Sequence, residues 1–415
     1  MTATDPTRFV GIDLGSKNND VCIRAPGQGR EEAEHRRFAN TPEGIEELCG
    51  YLSDLVGGQV ERVHVGAERP HGPVVEGLMR RGFAVFAVNP KQVDAFRTRY
   101  TVAEQKDDRL DAYLLAHCLE TDPQVFRKVK FPDALLTLLA GLRSMHYDLT
   151  VEVGRLSSQI RAQLERYFPQ ILRLGTPREP WILSLLEAAS TPEKAKALQG
   201  KEVADILKRH RIRRLKVDDV LSVLRTTPEL LLAPGTVEAA SRHVQMLIPR
   251  LRLALEQQAS VYRDIQQTLR RLEEKERAED DGRPQTVTIV RSMPGVGPLV
   301  AATLLAEAPQ AIADKDYKVL RAQSGQAPVT RRSGGKIRVH RRWACNPMLT
   351  EALYHWSRVA VQKDPYWRAA YAALRARGHW HARALRTIGD RLLRVLCAAL
   401  RDATLYDPTR LKAAA

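Results

Sequence analysis

The sequence predicts three parts: an α/β domain in residues 1–125, long helices around a small helical insert in residues 126–285, and a mostly helical domain in residues 286–415. Three observations support this division. Short apolar segments alternate with helix-forming segments at the N-terminal end, as in α/β domains. Apolar residues recur every three or four positions in the middle, as in long amphipathic helices. The last part combines glycine-rich turns with helical periodicity.

The first domain begins with three apolar segments that read as a strand meander, and two further strands then alternate with helices. The strands are expected at about 9–14, 21–23, 35–38, 62–67 and 84–88, with helices beginning at Thr41, running through Val75 and spanning about 102–119. Thr41-Pro42-Glu43 is a favourable helix start, because it supplies a hydroxyl cap and a proline in the first turn. This order of elements resembles an RNase H-like α/β fold.

Four acidic residues occupy notable positions in that fold. Asp13 ends the first strand, Glu68 ends the fourth, and Asp108 and Asp111 are three apart on one helix face. Converging carboxylates repel one another unless cations neutralise them, and an oxygen-only set favours Mg²⁺ or Mn²⁺. Two such ions about 4 Å apart can hold the attacking and leaving oxygens of a phosphodiester. Asp107 points roughly 100° away from Asp108.

Each acid also has a structural explanation. Asp108 and Asp111 can complement the dipole of a helix start, Asp13 can be a turn residue before Gly15, and Glu68 can be an exposed strand end. Their joint order and spacing favour the metal site.

A second constellation lies in residues 325–336, where Ser333 precedes two glycines and is surrounded by basic residues. These are Arg331, Arg332, Lys336, Arg338, His340, Arg341 and Arg342. A serine among cations suits attack on a phosphate, because the cations can hold the phosphate and stabilise developing charge. The structural alternative is a solvated hairpin. His340 is the candidate proton acceptor.

The charge of the chain indicates a polyanionic partner. The formal net charge is +16 and the pI about 9.8, and arginine clusters favour nucleic acid. The five cysteines are scattered without a Cys-x-x-Cys pair, so neither a disulfide framework nor a zinc site is indicated. Without a signal-like or membrane-spanning apolar run, the expected compartment is the cytoplasm.

The middle segment predicts two helices with coiled-coil spacing, the first through residues 138–164 and the second through residues 244–272. Pro249 is expected to kink the second helix or to mark its start. Pairing within one chain and pairing across a dimer both remain open. Between these helices lies an insert at about 172–235, whose basic run at 208–214 suits either phosphate contact or a solvated face.

In the last domain, residues 287–305 resemble a helix-hairpin-helix, whose glycines let backbone amides approach a phosphate. An ordinary helical turn is the alternative. Four aromatic residues can stack on bases, although core packing is expected for most of them: Trp343, Trp356, Tyr366 and Trp367.

Both constellations resemble one family. Asp13, Glu68 and the run Lys106 to Ala112 resemble the DEDD domain of the insertion-sequence one-ten group of transposases. The motifs Met293 to Gly297 and Gly325-x-x-Pro328-x-x-x-x-Ser333-Gly334-Gly335-Lys336 resemble its second signature domain, and Asn346-x-x-Leu349 extends the match. Three departures occur: Asp107 replaces the usual threonine, Arg69 to Gly72 replaces a Thr/Ser-Gly pair after Glu68, and Cys345 replaces a glycine.

The resemblance implies more than the residues alone. The family's metal domain is similar to that of the RuvC junction resolvases, and its serine nucleophile maps to Ser333, with Ser324 as a nearby decoy. Its members bind a structured non-coding RNA that pairs with target and donor DNA. DNA, a guide RNA and a homo-oligomer, as a dimer or a tetramer, are therefore the expected partners, with Lys106 and Arg109 joining the hairpin cations in nucleic-acid contact.

Three alternative functions remain open. A metal-dependent nuclease or junction resolvase would use activated water and no covalent link. A non-catalytic RNA- or DNA-binding scaffold would need neither the acids nor the serine. An actin-like kinase is suggested by Ile12 to Ser16, although no second phosphate loop or adenosine motif follows.

Overall fold

The computed structural model describes residues 8–69, 72–88, 93, 96–97, 108–129, 133–226, 232–278, 285–333 and 336–412. The chain forms two compact units, Met1–Pro132 and Asp133–Ala415. The first is an α/β unit and the second is mostly helical, which confirms the predicted fold class at this level. No helix in the described ranges is long and apolar enough to cross a membrane.

The first unit is built on a six-stranded mixed sheet with the order β3-β2-β1-β4-β5-β6. The strands are β1 (Arg8–Leu14), β2 (Asn18–Arg24), β3 (Glu34–Ala39), β4 (Val63–Ala67), β5 (Ala84–Ala87) and β6 (Arg127–Lys128). The first three form the predicted antiparallel meander, and β4 and β5 run parallel to β1. The sheet therefore has the strand pattern expected for an RNase H-like domain.

Helices cover both faces of this sheet. They are α1 (Pro42–Asp54), α2 (Pro73–Arg80) and α3 (Asp108–Thr121). Thr41 caps α1 as predicted, because its side chain accepts a hydrogen bond from the Gly44 amide. Val10 and Ile12 pack in the core shared with α1 and α2, whereas Phe9 packs in the core shared with α3. Alternate residues of β1 thus face different helices.

Two long helices run through the second unit. The helix α4 (Ala134–Tyr167) packs along α9 (Thr236–Ala278) in the same chain. Asp133 pairs with Lys275, and Gln258 Nε2 donates to Thr150 Oγ1 at 2.8 Å, so the two helices are antiparallel. Pro249 lies inside α9 and does not mark its start. The structure thus contains the intramolecular pairing, and a dimer stays a prediction.

The insert between the long helices forms a small helical core. It consists of α5 (Pro180–Ala188), α6 (Pro192–Ala197), α7 (Gly200–Arg209) and α8 (Val217–Thr226). Trp181 and Ile182 pack with the C-terminal half of α4 and the N-terminal half of α9. Part of the basic run is already engaged, because Arg214 pairs with Glu179 at 3.0 Å and His210 Nε2 is 2.9 Å from Ser184 Oγ.

The other halves of α4 and α9 join the core of the C-terminal helices. These are α10 (Thr286–Ser292), α11 (Pro298–Glu307), α12 (Pro309–Ala313), α13 (Tyr317–Gln323), α14 (Pro347–Lys363), α15 (Pro365–Ala376), α16 (His381–Asp402) and α17 (Pro408–Lys412). A two-stranded hairpin, β7 (Val329–Ser333) and β8 (Lys336–His340), precedes α14. Trp356 and Trp367 are buried as expected, whereas Trp343 is exposed.

The glycine turn between α10 and α11 has a packing explanation. Gly295 adopts a φ of 81°, and a Cβ there would lie 2.6 Å from the Ala360 backbone nitrogen of α14. Only glycine fits this close approach. The helix-hairpin-helix contact with nucleic acid stays a prediction.

Candidate functional site

Asp13 and Glu68 lie side by side at the carboxyl ends of two parallel strands. Ile12 of β1 and Ala67 of β4 are the last paired residues, and Asp13 and Glu68 follow them directly. Neighbouring strands are about 4.8 Å apart, so the two acidic residues are brought close together. Both are half-buried. The structure thus places these two predicted residues at one edge of the sheet.

The same two residues lie on the sheet face that α3 covers. A Cβ on Gly11 would be 1.9 Å from the Ala112 carbonyl oxygen, and a Cβ on Gly66 would be 3.1 Å from the Leu115 carbonyl oxygen. Side chains two residues apart in a strand share a face. Asp13 follows Gly11, and Glu68 follows Gly66, by two positions. Their positions are therefore on the α3 side.

The direction of α3 brings its acidic end to this edge. Arg24, paired in register with Phe9 near the start of β1, forms an ion pair of 2.8 Å with Glu120 near the end of α3. The first turn of α3 therefore points toward the opposite end of β1, where Asp13 lies. Asp108 and Asp111 are in that first turn. All four acidic residues belong to the same edge and face, which we call the acidic edge.

Within the acidic edge the two residues of α3 differ. Asp111 is 2% exposed, and its Oδ1 accepts hydrogen bonds from Arg97 at 2.8–2.9 Å. Asp108 is exposed. Buried carboxylates require such a partner, so Arg97 neutralises Asp111 in this arrangement. Arg97 was not among the predicted site residues, because nothing in the spacing of the sequence indicates this pair.

The acidic edge has the right donor atoms for a hard divalent cation, since carboxylate oxygens are the ligands that Mg²⁺ and Mn²⁺ prefer. Among the described residues, no three His, Cys, Asp or Glu side chains are close enough together to hold a metal ion. The neighbouring half-buried Asp13 and Glu68 suit such a cation best, whereas Asp111 would have to exchange Arg97 for it. The metal-binding role of the four acids stays a prediction.

Asn19 is a buried polar residue near the end of β1 that was not among the predicted site residues. The second strand was expected at about 21–23, but β2 already begins at Asn18. Asn19 is 1% exposed, and neither amide atom has a hydrogen-bond partner. It lines a cavity of about 320 Å³ with Ser16 and Arg69 beside the end of β1. Asn19 precedes the buried Val21 by two positions, and this strand spacing is the signal that could have placed both residues on the same face of β2.

Ser333 is the last residue of β7 and pairs with Lys336 in the register of the hairpin. The two glycines that follow Ser333 in the sequence, Gly334 and Gly335, lie outside the described residues. The same is true of Lys106 and Asp107 in the first unit. Arg331 pairs with Arg338. Because positions alternate between the faces of a two-stranded sheet, the positions of Arg331, Arg338 and Lys336 share a face with Ser333.

The remaining basic residues are accessible to different degrees. Arg109 is exposed in the first turn of α3, and Arg338, His340 and Arg341 are exposed in and just after β8. Arg342 is half-buried. The nucleic-acid contacts of these residues stay predictions.

Ser324, the predicted decoy, has a structural role. It is buried at the end of α13, and its hydroxyl donates to the Leu320 carbonyl oxygen at 2.7 Å. A hydroxyl that is buried and hydrogen-bonded in this way is not available to a DNA phosphate. The two serines thus differ in their place in the fold: Ser333 ends β7 of the hairpin, whereas Ser324 caps the end of α13.

The spacing Asn346-x-x-Leu349 is explained by helix capping. Asn346 Oδ1 accepts a hydrogen bond from the Leu349 amide at 3.1 Å, and its Nδ2 donates to Glu307 Oε2 at 2.7 Å. We expect Asn346→Ala to lower the free energy of unfolding by about 1–2 kcal/mol, the usual cost of a lost cap. Chemical denaturation would measure it. Asn346→Ser, which keeps a capping oxygen, should lose less; equal losses would show that capping is not the cause.

Comparison with known proteins gives matches at both ends of the chain. Residues 10–169 match a DEDD-type family model described as a transposase, and residues 287–372 match the model of the transposase IS116/IS110/IS902 family. A protein named transposase y4uE, from Sinorhizobium fredii, is 40% identical over 208 residues, which cover 50% of this chain and 57% of that protein.

Two further relatives match along almost the whole chain. The mini-circle transposase for IS117 from Streptomyces coelicolor is 28% identical over 97% of this chain and 96% of its own length. An uncharacterized 42 kDa protein of the insertion element IS900 from Mycobacterium paratuberculosis is 31% identical over 98% of this chain and 99% of its own length.

Proposed function

Because the chain belongs to the IS110 group of transposases, we propose that it cuts and rejoins DNA at the ends of a mobile element and at a target site. The observation that carries this proposal is the acidic edge, where four acidic residues from β1, β4 and α3 share one end and one face of the sheet. Asp13 and Glu68 directly follow neighbouring parallel strands, and carboxylate oxygens are the ligands that Mg²⁺ and Mn²⁺ prefer.

We propose that Asp13, Glu68, Asp108 and Asp111 hold Mg²⁺ or Mn²⁺ and thereby position the scissile phosphate. When bound, the cation would supply charge neutralisation at the phosphate oxygens. The residues of the chain would orient the strand and limit access of water. The basic residues Arg109, Arg338 and Arg341, all exposed, would contact nucleic-acid phosphates.

Ser333 is the proposed nucleophile. Its hydroxyl oxygen would bond to phosphorus as the bond to the leaving DNA oxygen breaks, and its proton would pass to a base, for which His340 is the candidate. The product is a phosphoserine link and a free DNA hydroxyl. Because the link conserves the energy of the phosphodiester, a second DNA hydroxyl can reverse the step on another strand without an external energy source. The hairpin pairs Ser333 with Lys336 and Arg331 with Arg338, and these basic residues near the serine support this role.

The partners proposed beyond DNA are a guide RNA and further copies of the chain. The net charge of +16 supports a nucleic-acid partner. Large apolar side chains exposed on α4 and α9 support self-association. They are Leu138, Met145, Val151, Met246 and Leu253.

A denaturing gel tests the proposal. The protein would be co-expressed with the DNA that flanks its element, so that any guide RNA is present, and then mixed with labelled donor and target DNA. We expect a labelled band of protein size that requires Mg²⁺ and disappears with a chelator. Cut DNA without that band would indicate a hydrolytic nuclease, and uncut but bound DNA a scaffold. Binding of ATP in a titration would favour the kinase alternative.

The same gel tests the acidic edge. We expect Asp13→Asn to lower formation of the linked band by at least about 10²-fold, because a neutral amide binds a divalent cation far more weakly than a carboxylate. Asp122→Asn, beyond the other end of α3, is the matched control and should cut like the unchanged protein. Equal activity of the two variants would contradict a metal-binding role for Asp13.

A further inference from the structure

A cavity of about 470 Å³ lies in the second unit, directly after the hairpin that carries Ser333. It is bordered by the segment that follows β8, by α14 and by α16, with Arg341, Trp343, Tyr354 and Arg386 among its lining residues. Its volume is in the range of small-ligand sites, roughly 300–1,000 Å³. Its lining includes none of the four acidic residues of the acidic edge and does not include Ser333.

We infer that this cavity receives one unpaired nucleotide of the DNA strand, with its base against Trp343 and its phosphate between Arg341 and Arg386. The inference rests on the proposed function, because it takes DNA as the substrate. It adds a binding site that holds a nucleotide out of the base stack next to the serine hairpin. Three features of the cavity support it.

The first feature is an exposed aromatic surface. Trp343 is 77% exposed, and Tyr354 is also exposed at the cavity. The Arg341 guanidinium lies 4.4 Å from the centre of the Trp343 ring, so the ring is already oriented by a cation on one side. Nucleobases stack on such rings without regard to sequence. Because the Trp343 ring is largely exposed, packing within the protein buries little of its apolar surface, and a stacked base would bury much more.

The second feature is uncompensated positive charge. Arg341, Arg383 and Arg386 form no ion pair with any described residue. Burial, followed by the nearby charges of Arg341 and Arg383, lowers the pKa of Arg386. Glu351 also lines the cavity, but it is exposed and lies 3.8 Å from His355. A phosphate would relieve the repulsion among the three arginines, which a neutral ligand would leave in place.

The third feature is an acceptor without a donor. Gln326 lines the cavity, and its Oε1 is buried without a hydrogen-bond partner, while its Nε2 donates to the Ser324 carbonyl oxygen at 3.3 Å. A buried acceptor left unpaired is costly. Rotation of the Gln326 side chain would turn this acceptor to the cavity, where the exocyclic amino group of a base would supply the missing donor. The cavity thus offers a stacking surface, phosphate ligands and a base-edge acceptor, which together match the parts of a nucleotide.

Fluorescence of a single-stranded DNA oligonucleotide with one 2-aminopurine would test the site. The measurements would use Ser333→Ala protein in chelator, so that no chemistry contributes. Stacking quenches the probe, and we expect Trp343→Ala to weaken quenching and binding about tenfold, the scale of one lost base stack. Trp343→Phe should retain most of both. Trp380→Ala is the matched control, because Trp380 is 82% exposed and lies outside the cavity lining.

Arg386→Gln should weaken binding about tenfold as well, by removing a phosphate ligand. Unchanged melting temperatures would show that the variants are folded. Equal behaviour of Trp343→Ala and Trp380→Ala, or unchanged binding by Arg386→Gln, would overturn the inference. If an RNA oligonucleotide with one 2-aminopurine bound and the DNA oligonucleotide did not, the assignment of the cavity to a DNA strand would be overturned. Absence of the protein-linked DNA band on the denaturing gel would count against the proposed function but would leave the fluorescence result unaffected, since the fluorescence assay involves no cleavage.

Discussion

Ser333→Ala is expected to abolish the protein-linked DNA band and to lower strand exchange by roughly 10⁴-fold or more, the scale seen when a covalent nucleophile is removed. Alanine lacks the oxygen that would bond to phosphorus. The backbone pairing of position 333 with Lys336 uses no side-chain atom, so the hairpin should form unchanged. DNA binding should therefore stay close to that of the unchanged protein while the chemistry is lost.

The control for this variant is Ser324→Ala. The Ser324 hydroxyl donates to the Leu320 carbonyl oxygen. Losing this hydrogen bond should lower the free energy of unfolding by about 1 kcal/mol and leave the linked band in place. Both variants would be run beside the unchanged protein on the denaturing gel, with binding measured separately. Cleavage that persists in Ser333→Ala would make this chain a hydrolytic nuclease and reduce the hairpin to a phosphate-binding element.

Gly11→Ala is expected to unfold the first unit, with a loss of more than about 3 kcal/mol. The added Cβ would lie 1.9 Å from the Ala112 carbonyl oxygen and 2.6 Å from the Ala116 amide nitrogen. Overpacked cores usually cost about 1–3 kcal/mol because side chains can move aside. Here the obstacles are backbone atoms of α3, so the helix itself would have to leave the sheet.

Thermal unfolding and limited proteolysis would measure this effect. Gly29→Ala is the matched control, because a Cβ at Gly29 meets no atom within 4 Å. It should leave the unfolding temperature and the protease fragments unchanged. A folded Gly11→Ala protein with intact α3 would show that the contact between the helix and β1 is looser than described.

The sequence predicted the elements whose signals are local. The meander, the two parallel strands and the cap of α1 all depend on alternation or on capping residues within a few positions. It did not predict β6, because Arg127 and Lys128 form a strand only by pairing with β5. Pro249 was predicted to kink the second long helix or to mark its start; α9 begins at Thr236 and continues through the proline, since packing along α4 outweighs its local cost.

The candidate site was predictable to a similar extent. The strand ends gave Asp13 and Glu68, and helical spacing gave Asp108 and Asp111. The partner of Asp111 was not predictable, because the contact with Arg97 depends on the fold. The same holds for Gly11, whose role appears only where α3 lies against it, and for the cavity beside Trp343, which combines segments more than fifty residues apart.

The antiparallel pairing of α4 and α9 sets a rule for changes in chain length. One core of the second unit lies around the first half of α4 and the last half of α9, and the other core lies around the opposite halves. Deleting one residue from either helix would shorten it by about 1.5 Å and rotate one core relative to the other by about 100°. Only paired changes that restore both register and phase, such as seven residues in each helix, would keep the two cores in step. The helix pair therefore tolerates insertions or deletions only in matched blocks of such lengths.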